Sequence, residues 1–147
     1  MNEKKITEVV NMETKTELSK CFIAKTSAFK VQLNSVGDCY FHAGKKQEQG
    51  DKWDWQRAKI NDGELGELLG LLQVRNGAIS FFHEFNGKAT KLWFNYSKDV
   101  LFAKIETISK ALSPAEQEVL RVLIEHIILR QYLIRTQDSI LAAEMSG

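Results

Sequence analysis

Period-two alternation of apolar and polar residues fills two blocks of this chain, and each block closes on a segment of helical period. In the first block Phe29, Val31 and Leu33 alternate with Lys30, Gln32 and Asn34. Cys39 to Ala43 follows across a Val36-Gly37-Asp38 turn. Beyond a polar loop from Gly44 to Asp51, Trp53, Trp55, Arg57 and Lys59 alternate with Asp54, Gln56, Ala58 and Ile60. A stretch from Cys21 to Lys25 is a further strand candidate. Leu65, Leu68, Leu69 and Leu72 then recur at helical spacing, with Asn61 or Asp62 as cap and Glu64 in the first turn. Gly66 and Gly70 weaken that helix, which predicts a close approach of its glycine side to a sheet.

The second block repeats the order. Ala78 to Phe85, Ala89 to Tyr96 and Val100 to Ile105 read as strands. Asn86-Gly87-Lys88 and Ser97-Lys98-Asp99 read as the hairpin loops between them. The closing helix starts at Ser113, a good N-cap, with Pro114 in the first helical position and Glu116 completing a capping box. It runs to about Ala143. The predicted fold class is α+β: two antiparallel sheets, each a meander followed by a helix. The apolar residues of the last helix, from Val119 to Ile134, cover more than one stripe. Burying the second stripe predicts self-association through this helix.

No linker rich in Pro, Gly or Ser divides the chain, so residues 19–147 read as one domain after a weakly structured tail over residues 1–18. The stretch from Val119 to Ile134 is interrupted by Arg121, Glu125, His126, Arg130 and Gln131, which excludes a membrane span. The N-terminus lacks an apolar signal core, so the expected location is cytoplasmic. Cys21 and Cys39, the only cysteines, match no zinc pattern and read as buried free thiols. No metal and no cofactor are expected. The chain has no Ser-His-Asp set and no phosphate-cradling glycine loop, so enzymatic chemistry is not expected. With a formal net charge of +1, positive charge must be gathered on one face if the partner is a polyanion.

Three motifs in order carry more information than any one of them. Trp53-Asp54-Trp55-Gln56 is followed by Glu64-Leu65-Gly66-Glu67-Leu68 and then by Ser80-Phe81-Phe82-His83-Glu84. Lys91-Leu92-Trp93-Phe94 comes next. This succession, over roughly residues 52 to 105, resembles the Whirly family of single-stranded DNA-binding proteins, with its "YDWE" strand, "E-x-G-x-L" helix and "EFFHD" strand. The resemblance implies two packed antiparallel sheets and a homotetramer joined through the helices. It also implies sequence-tolerant binding of single strands along sheet surfaces between protomers. The plant members' lysine-rich "KGKAALS" strand is replaced by Ser27-Ala28-Phe29-Lys30-Val31-Gln32-Leu33, and their insertion after "FFHD" by a tight Asn86-Gly87 turn. Both departures fit a prokaryotic or viral relative.

Single-strand binding needs cations along the phosphates and flat rings for unpaired bases. Trp53 and Trp55 lie two apart on one strand face, continued by Arg57 and Lys59, with Lys52 just before them. Tyr40 and His42, opposite Cys39 and Phe41, extend the set beside Lys30 and Lys45. Lys91 and Trp93 form another outward set. The competing reading makes the tryptophans core and the charges a solvated rim. His83 beside Glu84, and His126 on the last helix, read as structural histidines. RNA is a near alternative to DNA as the bound strand. An oligomeric protein-protein scaffold is the alternative from another class, favoured by the near-zero charge and the doubly apolar helix.

Overall fold

The computed structural model describes residues 14–146, which form two four-stranded antiparallel sheets and two helices. Strands β1 (Thr16–Ile23), β2 (Ser27–Asn34), β3 (Cys39–Lys46) and β4 (Trp53–Ile60) form the first sheet in sequence order. Helix α1 (Asp62–Val74) follows. Strands β5 (Ala78–Phe85), β6 (Lys88–Ser97), β7 (Val100–Ile105) and β8 (Ile108–Leu112) form the second sheet, again in order, and α2 (Pro114–Ser146) closes the chain. The predicted α+β class, with a meander and helix twice over, is the observed one.

Each meander has a fourth strand beside its three alternating ones, and in the first it overlaps the Cys21 to Lys25 candidate. β1 begins at Thr16, inside the stretch expected to be a tail, and ends at Ile23 rather than Lys25. It is an edge strand with few inward apolar residues, Leu18 and Phe22, so backbone pairing with β2 carries it. Residues 1–13 of the expected tail lie outside the described residues. β8 escapes the alternation because Lys110 occupies an inward position between Ile108 and Leu112. That lysine is only 7% exposed. Its stem is buried while its ammonium donates to the Ala111 carbonyl and lies 3.8 Å from Glu116.

The inner faces of the two sheets meet through aromatic rings. Phe29 of β2 and Phe41 of β3 lie 6.1 and 5.9 Å from Phe94 of β6, edge to face. Phe81 of β5 packs on Phe94 from the side, at 6.1 Å. Burying each such ring contributes about 1.5–3 kcal/mol. The inner faces are thereby used up, and the outer faces are left to solvent or to partners.

Both helices carry the predicted caps. Asn61 Oδ1 accepts from the Glu64 amide, and the Asn61 amide donates in turn to Glu64 Oε1. Ser113 and Glu116 do the same for α2. α2 buries Gln117, Leu120, Ile124, Ile127, Gln131 and Ile134, a seam spaced alternately by three and four. Its glutamines fasten it to both sheets. Gln117 donates to the carbonyls of Asp99 and Leu112, and Gln131 to that of Gly37. Gly37 adopts φ 92°, which a side chain would strain. The glycines of α1 overturn one expectation. A Cβ at Gly66 or Gly70 would meet nothing within 4 Å, so neither admits a sheet. The helix instead buries Leu65, Leu68, Leu71 and Leu72.

Candidate nucleic-acid interface

Strand register arranges the outer face of the first sheet in rows. Ile23, Ala28, Gly44 and Trp55 make one row across β1 to β4. Cys21, Lys30, His42 and Arg57 make the next, and Ser19, Gln32, Tyr40 and Lys59 the third. Lys46 pairs with Trp53 at the end of the sheet. The face therefore grades from aromatic to cationic along β4, as the alternation predicts.

The indoles are outside. Trp53 and Trp55 stack on each other, with centroids 5.9 Å apart and planes 24° apart. Trp55 is 47% exposed. Its ring lies flat on the backbone of Gly44, where an added Cβ would stand 2.7 Å from Cζ3. Only glycine allows this close approach, and the ring in turn covers a backbone that glycine leaves bare. Next to them the Arg57 guanidinium sits over the Tyr40 ring at 5.5 Å. Burial, and then the charges of Lys30 and Arg57, hold the His42 imidazole below its ordinary pKa. His42 is thus kept neutral between two cations. Lys59 lies 3.4 Å from Asp38.

One predicted residue is placed elsewhere, and Lys52 stands where expected, directly before β4. Lys45 has the inward parity of Phe41 and Ala43, not that of Tyr40 and His42, and pairs with Asp54 at the sheet's end. The sequence reading set it beside Tyr40; the pleat sends it to the other side. Lys46, which that reading passed over, has the outward parity. Lys52 lies in the loop before β4, where its carbonyl accepts from the Gln47 amide at 2.9 Å. Of the expected buried thiols, burial pushes Cys39 up to about 12, whereas Cys21 is only half-buried, on the outer face beside Lys30.

The second sheet carries a different arrangement. Trp93 stands opposite Ser80 on one side and Lys104 on the other. Lys91 and Lys104 both direct their ammonium groups at its ring, at 4.9 and 5.1 Å. Phe82, 64% exposed, faces Lys91 across the hairpin. Lys104 and Lys46 are not among the residues that the sequence singles out, and Phe82 stands there only inside the Ser80-Phe81-Phe82-His83-Glu84 motif. Lys104 is found only if the β6–β7 loop is counted as two residues, since Ser97 pairs with Val100. His83 bonds Glu64 at 2.6 Å and ties β5 to the capping box of α1, rather than bonding Glu84. Among the described residues no three His, Cys, Asp or Glu side chains come together to hold a metal ion. No described helix is long and apolar enough to cross a membrane.

The architecture has solved counterparts. The crystal structure of WHY3 from Arabidopsis thaliana superposes with a TM-score of 0.62 at 15% identity, over 87% of this chain and 96% of that one. WHY1 from the same plant gives 0.59 at 15% identity, over 76% and 88%. The fold is Whirly-like. No protein-family model and no curated protein matches the sequence. A Whirly-like frame at this level of identity means that shared packing, not shared side chains, links the chains. The outward residues must be read on their own chemistry.

Proposed function

We propose that this protein binds single-stranded DNA without acting on it chemically. Unpaired bases extend the stack that Trp53 and Trp55 begin. Lys30, Arg57 and Lys59 on the same face meet the phosphates, with Tyr40 and His42 between them. Lys91, Trp93 and Lys104 serve the strand on the second sheet. The observation that carries this reading is the pair of outward, mutually stacked indoles in one row system with cations. The Whirly-like fold supports it by agreeing with the resemblance read from the motifs. Stacking is tolerant of sequence because every base has a π-face, and contributes about 1–3 kcal/mol per base.

Self-association belongs to the same reading. α2 exposes Val119, Val122, Leu129 and Leu133, with His126 between them. These positions again step by three and four, two residues out of phase with the buried seam and so on the opposite side of the helix. A second helix fits such a stripe, and four subunits is the number the resemblance implies. The scaffold reading draws on this seam and the near-zero net charge, and leaves the outward rings without a role.

Titration of a labelled oligothymidine over a salt series tests the proposal. The expected result is binding at physiological salt in or below the range of about 10⁻⁴ to 10⁻⁶ M that non-specific binders show, weakening as salt rises. The same titration with RNA of one sequence ranks the two polymers. No binding of either at physiological salt would overturn the reading and leave the scaffold.

A further inference from the structure

Two loops meet at the indole end of the first sheet. The β1–β2 turn, closed by the Ala24 amide on the Ser27 carbonyl, lies beside the longer β3–β4 loop. The Lys46 amide donates to the Thr26 carbonyl at 2.9 Å and joins the two. Gln47 stiffens the longer loop, its amide donating to Lys52 and its side chain to Asp54 Oδ1 at 3.0 Å. Between the loops runs a groove of about 670 Å³ lined by Lys25, Thr26, Lys45, Lys46, Gln47 and Glu48.

The charge in this groove is lopsided. Three ammonium groups, on Lys25, Lys45 and Lys46, face one lining carboxylate, Glu48. Asp51 reaches Lys46 only at 3.9 Å and its side chain is fully exposed, so solvent screens that pair and an anion displaces it easily. No aromatic side chain lines the groove, so a base finds no ring to stack on there, while the lysine ammonium groups suit a phosphate. The groove is also continuous with the stack, because Lys46 is both a lining residue and the cross-strand partner of Trp53.

We infer that this groove holds the phosphodiester backbone of the nucleotides that adjoin the bases stacked on Trp53 and Trp55. The inference rests on the single-strand reading and extends its footprint past the sheet. It gives Lys45 a role on the side to which the pleat sends it, and adds Lys25 and Lys46, which strand alternation does not reveal. A strand stacked on the indoles leaves the sheet between the two loops, its phosphates between lysines on both banks.

The test uses the full chain with Lys25→Gln and Lys45→Gln together, both exposed side chains whose loss should leave thermal melting unchanged. Single strands release about 0.7 counterion per phosphate contact, so two lost contacts lower the salt slope by about 1.4 and the affinity at 0.1 M salt about 25-fold. A long oligothymidine should show this loss, and one just long enough to cover the indoles should not. Equal losses on short and long oligomers, or an unchanged slope on the long one, overturn the inference. In that case a Trp53→Ala variant that still weakens binding leaves the single-strand reading standing. Failure of the unaltered protein to bind any length overturns both.

Discussion

The two sheets have the same strand count and order, yet they treat their outward tryptophans in opposite ways. On the first sheet two indoles lie on each other, Trp55 over the bare backbone of Gly44, with cations displaced along the strand. On the second a single indole has two ammonium groups over its ring. The difference follows from register. Gly44 is opposite Trp55 and offers no side chain, so the ring folds down onto the sheet. Lys104 is opposite Trp93, and its long stem brings charge to the ring. An indole with another indole beside it extends naturally to a base. An indole covered by lysines presents positive charge to a phosphate. Under the proposed function the first face is the base platform and the second the phosphate cradle.

Breaking the platform should have the largest effect. Trp53→Ala with Trp55→Ala removes two stacking rings and should weaken oligothymidine binding by about 2–6 kcal/mol, at about 1–3 per base. Fluorescence anisotropy measures it, and unchanged thermal melting would show the fold intact. Gly44→Val should act at one remove. Its Cβ would stand within 3 Å of the Trp55 ring, so the indole must lift, and overpacking of this kind costs about 1–3 kcal/mol. Denaturant unfolding should report that loss, along with weaker binding. No equivalent glycine supports Trp93, whose partners in register are Ser80 and Lys104.

Lys104→Met sharpens the contrast from the cradle's side. It should lower affinity about fivefold at 0.1 M salt and reduce the salt slope by about 0.7, leaving base stacking untouched. The smallest effect expected is one of pH. The folded state holds His42 below its ordinary value of 6.5, so the unfolded chain takes up the proton first as pH falls. Stability should therefore decline as pH drops below 6.5, and level off once the folded imidazole is also protonated. His42→Gln should flatten that dependence in thermal melts from pH 7 to 5. Bound phosphate offsets the charges of Lys30 and Arg57, so the decline should shrink when oligonucleotide is present.

How much of this was legible in the sequence depends on what hides a signal. Trp53, Trp55, Arg57 and Lys59 could be assigned to one face because they alternate without interruption. The caps at Asn61 and Ser113 were legible for the same local reason. β8 was not, since a buried lysine broke its apolar row and Glu106 made the preceding turn with φ 54° and no glycine. Lys104 was hidden by loop length. Counting three residues in the Ser97-Lys98-Asp99 loop sets Trp93 opposite Ala103, and the true two-residue loop moves it to Lys104. Lys45 was misplaced because the sequence reading ends the strand at Ala43 and leaves Lys45 in a loop, whereas β3 runs on to Lys46 and fixes its parity. The groove between the loops arises from the meeting of two segments some twenty residues apart, which no local pattern announces.

The base platform is most directly tested by the fluorescence of a Trp93→Phe protein, in which Trp53 and Trp55 are the only indoles left. Saturation with short oligothymidine should quench that emission strongly, and the quenching should track binding across the salt series. Full binding with the emission of these two indoles unchanged would show that the strand lies elsewhere and would contradict the account.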